Sequence, residues 1–85
     1  SKRYSREMEK LLLRQTRRGK IPSGVPAGVK VANKTGETSS VQHDMAIVYG
    51  KKTDYVICVF SSTGNEGYSV QRIRDISRTA YNYLN

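Results

Sequence analysis

Lysine, threonine and glycine stand together at the end of a predicted strand, as Lys34-Thr35-Gly36. At a strand terminus, an ammonium and a hydroxyl can hold the carboxylate of a ligand. The glycine lets ligand and backbone approach closely, and the next backbone N–H, that of Glu37, could donate to a developing oxyanion. The tripeptide is short and its residue types are common, so alone it also fits a basic strand end followed by a turn.

Three strands and two helices are predicted to position these residues. The apolar patterns predict strands at 29–34, 41–49 and 55–61, and helical spacing predicts a helix from about Ser5 to Gly19 and another from Tyr68 to Leu84. The segment 21–28 carries both prolines and is predicted to be a loop, and the segment from Gly36 to Ser40 a turn. We therefore predict an α+β fold: a three-stranded antiparallel meander flanked by both helices on one face.

The third predicted strand is apolar on both of its faces, from Val56 to Phe60. Two helices on one side of a small sheet would leave the other side of that strand uncovered. Another domain, another copy, or a further part of the same protein is expected to cover it. We expect the chain alone to expose this face and the edge of the strand, and so to self-associate.

Charge and cysteine content leave several classes of binding partner, and the cellular compartment, open. The net charge is +8, and residues 1–20 hold eight basic residues against two acidic ones. Such a cluster suits nucleic acid, an anionic membrane or an acidic partner, and equally a solvated helix face. The single Cys58 excludes an internal disulfide and leaves the compartment open. No apolar run is long enough to predict a transmembrane helix, and no signal-peptide pattern is present.

His43 and Asp44 are adjacent and could suggest a catalytic pair. Neighbouring residues on a strand face opposite sides of the sheet, so these two cannot meet as a base and the group that orients it. We interpret His43 as structural and predict no metal site around it, because no other histidine or cysteine is near it in the sequence.

From about Ser5 to Leu84 the chain resembles the C-terminal part of class A β-lactamases and their penicillin-binding relatives. The resemblance is carried by PAGVKVANKTGE followed by HDMAIVYG, after a helix that ends in LLLRQTRR. It implies that residues 1–85 are a single subdomain, a C-terminal fragment of a larger β-lactamase-like α/β domain. In that family, two further strands and a helical domain precede this segment and would cover the apolar face.

The resemblance also implies roles for individual residues. Lys34 and Thr35 would bind the β-lactam carboxylate, and Lys34 would also set the electrostatics of the site. Gly36 would give the ligand room, and the Glu37 N–H would be half of the oxyanion hole. The implied ligand is a β-lactam or a peptidoglycan-like molecule, with no metal and no cofactor. The implied partner is the missing N-terminal part of the same protein, usually outside the cytoplasmic membrane.

The chain departs from the family in lacking most of the catalytic groups. None of its nine serines is followed three residues later by lysine, and neither Ser-Asp-Asn nor Glu-x-x-Leu-Asn occurs. Acyl transfer needs a nucleophile, a base and oxyanion donors together, so we expect the chain alone to be inactive. Whether the intact protein hydrolyses β-lactams, and so confers antibiotic resistance, or only reacts with them is left open. The alternative function is a stand-alone basic module that binds nucleic acid or an anionic surface. The six tyrosines are spread over helices and strands without the spacing of an RNA-binding motif, which disfavours nucleic acid.

Overall fold

The computed structural model describes residues 2–14, 18–38, 41–62 and 64–85. Three strands and three helices follow one another in the described chain: α1 Lys2–Leu13, α2 Ile21–Gly24, β1 Lys30–Glu37, β2 Gln42–Tyr49, β3 Asp54–Ser61 and α3 Glu66–Leu84. The predicted α+β class and the antiparallel meander with flanking helices are confirmed. None of the helices in the described ranges has the length and apolar character needed to cross a membrane.

The sheet has the order β1-β2-β3, and both pairings are antiparallel. All eight residues of β1 pair with β2, from Lys30 opposite Tyr49 to Glu37 opposite Gln42. Because partners in an antiparallel pair point to the same face, this register divides the strand residues cleanly between two faces.

One face of the sheet forms the core under α2 and α3. Val31, Val48 and Val59 lie here, and they form a buried cluster with Ile21 of α2 and with two residues of α3, Ile73 and Tyr81. The buried positions of α3 recur every fourth residue, as expected for a helix that lays one stripe on a sheet: Ser69, Ile73, Ser77 and Tyr81. We call this side the core face.

The opposite side, which we call the open face, is covered only in part. It carries residues that alternate with those of the core face: Ala32, Lys34, Gly36, His43, Met45, Ile47, Val56, Cys58 and Phe60. Val56 is 75 % exposed and Phe60 67 % exposed. The uncovered apolar surface expected from the third strand is therefore present in this chain.

Helix α1 lies over the open face, which corrects the prediction that both helices share one face. Met8 and Leu12 line a groove with Ala32 and Ile47 of the sheet, while α3 packs on the core face. No residue of α1 is buried, and Met8 itself is 58 % exposed. The apolar stripe of a helix indicates that this side packs against a core, but it does not indicate which face of the sheet the helix covers.

Several element boundaries differ from the predictions; α1, for example, begins at Lys2 and α3 at Glu66. Strand β1 continues through Lys34 to Glu37, because β2 pairs with its entire length. Helix α1 ends at Leu13, so the predicted continuation to Gly19 is wrong: residues 14, 18 and 19 are not helical, and residues 15–17 lie outside the described ranges. The proline segment contains the short α2, whose Pro22 stands in the first turn, where its missing N–H costs nothing. Ser39 and Ser40 of the predicted turn also lie outside the described residues.

Candidate functional site

Lys34 lies on the open face near the end of β1. Its side chain is exposed, and its Nζ donates to the backbone oxygen of Thr35 at 2.7 Å. Lys34 borders the groove between α1 and the sheet, a cavity of about 430 Å³ that is also lined by Met8 and Leu12. The ammonium is thus held at the rim of an apolar groove, where a negatively charged ligand group can reach it.

Thr35 points the other way, into the core face. It is 4 % exposed, and its buried Oγ1 has no hydrogen-bond partner among the described residues. The side chain borders a second cavity of about 200 Å³, together with Lys20 and Glu37. The structure therefore does not bring the side chains of Lys34 and Thr35 together, and each opens into a different cavity.

Gly36 returns to the open face, directly opposite His43. A Cβ atom at Gly36 would overlap the imidazole of His43, so a larger residue here would require that ring to move. The imidazole in turn stacks against Phe60, with 5.1 Å between ring centroids. Glu37 ends the strand opposite Gln42, and its carboxylate is bound by Lys20. The expected site residues thus occupy four consecutive positions at one end of the edge strand.

Sequence reasoning missed Lys20, which is buried beside this strand end. The residue is 6 % exposed, and its Nζ donates to three oxygens: Gly36 O at 3.2 Å, Glu37 Oε2 at 3.2 Å and His43 O at 3.1 Å. A lysine in a proline- and glycine-rich segment gives no sign in the sequence that it will be buried. Only the fold shows that the segment before α2 runs past the ends of β1 and β2.

Asp44 was also missed as a site residue, and it is completely buried. Its carboxylate accepts from the Ile21 N–H at 2.9 Å and from the Asn33 amide at 3.3 Å. A signal existed, since an acidic residue alternates with Ala46 and Val48 on what proves to be the core face. His43 lies on the other face, so the two adjacent residues do not form a pair.

Burial raises the pKa of Asp44 above its ordinary value of 3.8, and this effect outweighs the hydrogen bonds from Ile21 and Asn33 and the attraction of Lys20. The folded state therefore binds this proton more tightly than the unfolded state does. We expect Asp44 to make the free energy of unfolding fall as pH rises from 3.8 through the raised pKa of the folded state.

Urea denaturation at a series of pH values measures this contribution. The Asp44→Asn variant lacks this titrating group. The difference in unfolding free energy between the variant and the unmodified chain should therefore change across that pH range. Asp54→Asn, which alters an exposed carboxylate at the start of β3, is the matched control for the loss of a charge. A constant difference for Asp44→Asn across the range would contradict the prediction.

Comparison with solved structures shows the same arrangement of elements in larger proteins. PBP-A matches with a TM-score of 0.85 and 22 % sequence identity over 98 % of this chain. A mutant of PBP-A, described as an acyl-enzyme complex with penicillin G, matches equally well. A beta-lactamase from Sphaerobacter thermophilus DSM 20745 matches with a TM-score of 0.86 and 23 % identity over 99 % of this chain. At these identities the likeness establishes the fold.

This chain spans about a third of the length of those proteins, covering 32 % of PBP-A and 33 % of the Sphaerobacter enzyme. A comparison with curated proteins found no match. The family model described as "Beta-lactamase enzyme family" matches residues 1–84, nearly the whole chain. The chain therefore belongs to the beta-lactamase enzyme family.

Proposed function

We propose that this chain forms one wall of the β-lactam-binding acyl-enzyme site of a longer serine hydrolase, which we call the parent protein. The observation that carries the proposal is the position of Lys34, an exposed ammonium near the end of an edge strand in a chain of the beta-lactamase enzyme family. β-Lactams of the penicillin type carry a carboxylate, and an ammonium at the rim of an apolar groove is suited to bind one.

The residues at the four consecutive positions have different roles in this proposal. Lys34 would bind the carboxylate and favour the negative charge that develops during acylation. The Glu37 N–H would supply one hydrogen bond to the oxyanion, while Gly36 keeps this part of the strand free of a side chain. Binding of the same carboxylate by Thr35 stays a prediction; in this chain its side chain borders the cavity on the core face, away from Lys34.

The remaining catalytic groups would come from other parts of the parent protein. No serine of this chain has the lysine three residues later that the family's nucleophile motif requires. The matched solved structures are about three times as long, and the part of the open face that carries Val56 and Phe60 is left exposed here. A further part of the same polypeptide, packed on that face, would both cover it and bring a nucleophile to the end of β1. Hydrolysis, and with it a role in antibiotic resistance, would depend on deacylation groups in that part.

Double detection in source cells tests the proposal. A lysate is labelled with fluorescent penicillin, and the same gel is probed with an antibody raised against this chain. We expect one band much heavier than the 9.6 kDa of the chain to carry both label and epitope. An epitope found only near 9.6 kDa, without label, would contradict the proposal and favour the alternative of a basic interaction module.

A further inference from the structure

The buried ammonium of Lys20 lies between the ends of β1 and β2. Lysine Nζ carries three protons, and the three oxygens that receive them belong to Gly36, Glu37 and His43. Removing an ammonium from water is costly unless it is both paired and hydrogen-bonded. Here both conditions are met, since the Glu37 carboxylate supplies the charge and two backbone carbonyls supply the other bonds.

Both of those carbonyls must point into the space between the two strands. Gly36 and His43 are direct partners in the antiparallel register, and one nitrogen lies 3.2 Å from one carbonyl oxygen and 3.1 Å from the other. If the two carbonyls pointed to opposite outer edges, a single nitrogen could not reach both. Thr38, two residues further along, shows the same orientation, because its N–H donates to the Val41 carbonyl oxygen at 2.8 Å. Every second residue of an antiparallel strand directs its backbone groups to the same side, so Gly36 also faces the neighbouring strand.

The orientation of the Gly36 carbonyl also determines the direction of the Glu37 N–H, the proposed oxyanion donor. The oxygen of Gly36 and the N–H of Glu37 belong to one planar peptide group, which is trans. In a trans peptide the C=O and N–H point in opposite directions, so a carbonyl directed toward β2 directs the Glu37 N–H to the outer edge of β1. A cation on the carbonyl oxygen also polarises the peptide group, which makes its N–H a stronger donor.

Lys20 is itself held from the other side. The neighbouring Ile21 donates its N–H to Asp44 of β2, and its carbonyl accepts from the hydroxyl of Ser77 in α3 at 2.7 Å. The backbone that carries Lys20 is thereby tied to both the sheet and the long helix. Because the backbone beside Lys20 is fixed, its ammonium can hold the ends of β1 and β2 in one orientation.

We propose that Lys20 is a positioning residue for acylation, which orients and polarises the Gly36–Glu37 peptide so that the Glu37 N–H can bind the oxyanion. The inference rests on the proposed function. Lys20 does not contact the substrate in this account, because its three protons are already bound by the protein. It should therefore affect the rate of acylation and leave the affinity of the preceding complex unchanged.

Stopped-flow acylation of the parent protein by a chromogenic β-lactam separates these two quantities. Lys20→Met keeps the length of the side chain and removes its charge, and it is expected to lower the acylation rate at saturating β-lactam about tenfold, because the donor is misaligned and less polarised. The dissociation constant of the complex before acylation should stay within about twofold, since Lys20 binds no substrate. Lys51→Met, at an exposed loop position, is the matched control and should change neither.

Lys20→Arg tests charge without the same geometry. The planar guanidinium of arginine keeps the charge but cannot donate to all three oxygens from one nitrogen as the ammonium does. We therefore expect a smaller fall in acylation rate than for Lys20→Met, about threefold, again at unchanged affinity. If Lys20→Met does not fold, Lys20→Arg alone decides. An acylation rate unchanged in a folded Lys20→Met variant, or in Lys20→Arg when the former fails to fold, overturns the positioning role. A weakened initial complex would overturn it too, because it would place Lys20 on the substrate. If the unmodified parent protein is not acylated at all, the proposed function fails and this inference falls with it.

Discussion

Lys34→Ala is expected to slow acylation of the parent protein by β-lactams about 100-fold, the scale of losing one preorganised contact to a developing charge. The reason lies in its placement, since the ammonium is exposed on the open face and held at 2.7 Å from the Thr35 oxygen. It needs little reorganisation to meet a carboxylate arriving in the groove. Acylation rates over a range of β-lactam concentrations measure the effect.

Lys30→Ala is the matched control for that experiment. Lys30 lies on the same strand and the same face as Lys34, four residues earlier, and is also exposed. It should leave the rate of acylation nearly unchanged, which would show that a general loss of positive charge is not the cause. Lys34→Arg should recover part of the activity, because the charge is retained in a different shape. Equal rates for Lys34→Ala and the unmodified protein would remove Lys34 from the site.

Gly24→Ala is expected to destabilise the chain strongly. A Cβ at Gly24 would lie 2.6 Å from Ser77 Cβ and 2.7 Å from Ser77 Oγ, against a fixed turn of α3. Relief requires α2 and α3 to move apart, which would also disturb the hydrogen bond from Ser77 to Ile21. Overpacking of this kind costs about 1–3 kcal/mol. The midpoint of thermal unfolding should fall by about 4–8 °C for each kcal/mol lost in a domain of this size.

Gly19→Ala provides the comparison for that measurement. A Cβ there would meet only the end of the Arg74 side chain, at an ordinary 3.6 Å. We expect its unfolding midpoint to stay close to that of the unmodified chain. An unfolding midpoint for Gly24→Ala equal to that of Gly19→Ala would show that α2 and α3 are not packed as closely as the structure has them.

Local sequence patterns predicted the sheet well because they depend on neighbours in the chain. Alternation of apolar residues gave the three strands, and the short loop between the last two gave their antiparallel pairing. The polar run from Gly36 to Ser40 predicts a turn, which would end β1 at about Lys34. Pairing with β2 extends the strand to Glu37.

The contacts around the candidate site depend on tertiary structure, so the sequence could not supply them. Lys34 and its neighbours were found as a motif, whereas Lys20 is brought to them from 14 residues away in the chain by the packing of α2. Asp44 alternates with Ala46 and Val48, but Met45 and Ile47 make the other face of the strand equally apolar, so the burial of Asp44 follows only from the packing of α3. The side on which α1 packs likewise depends on contacts that leave no periodic signal.

The central claim is that this chain supplies a wall, and no nucleophile, to a penicillin-reactive site. Intact-mass spectrometry of the parent protein after incubation with penicillin G, followed by peptide mapping of the adduct, tests it most directly. We predict a gain of one penicillin mass per protein, on a serine outside the sequence of this chain. The absence of any covalent adduct, or an adduct on one of the serines of this chain, would contradict the account.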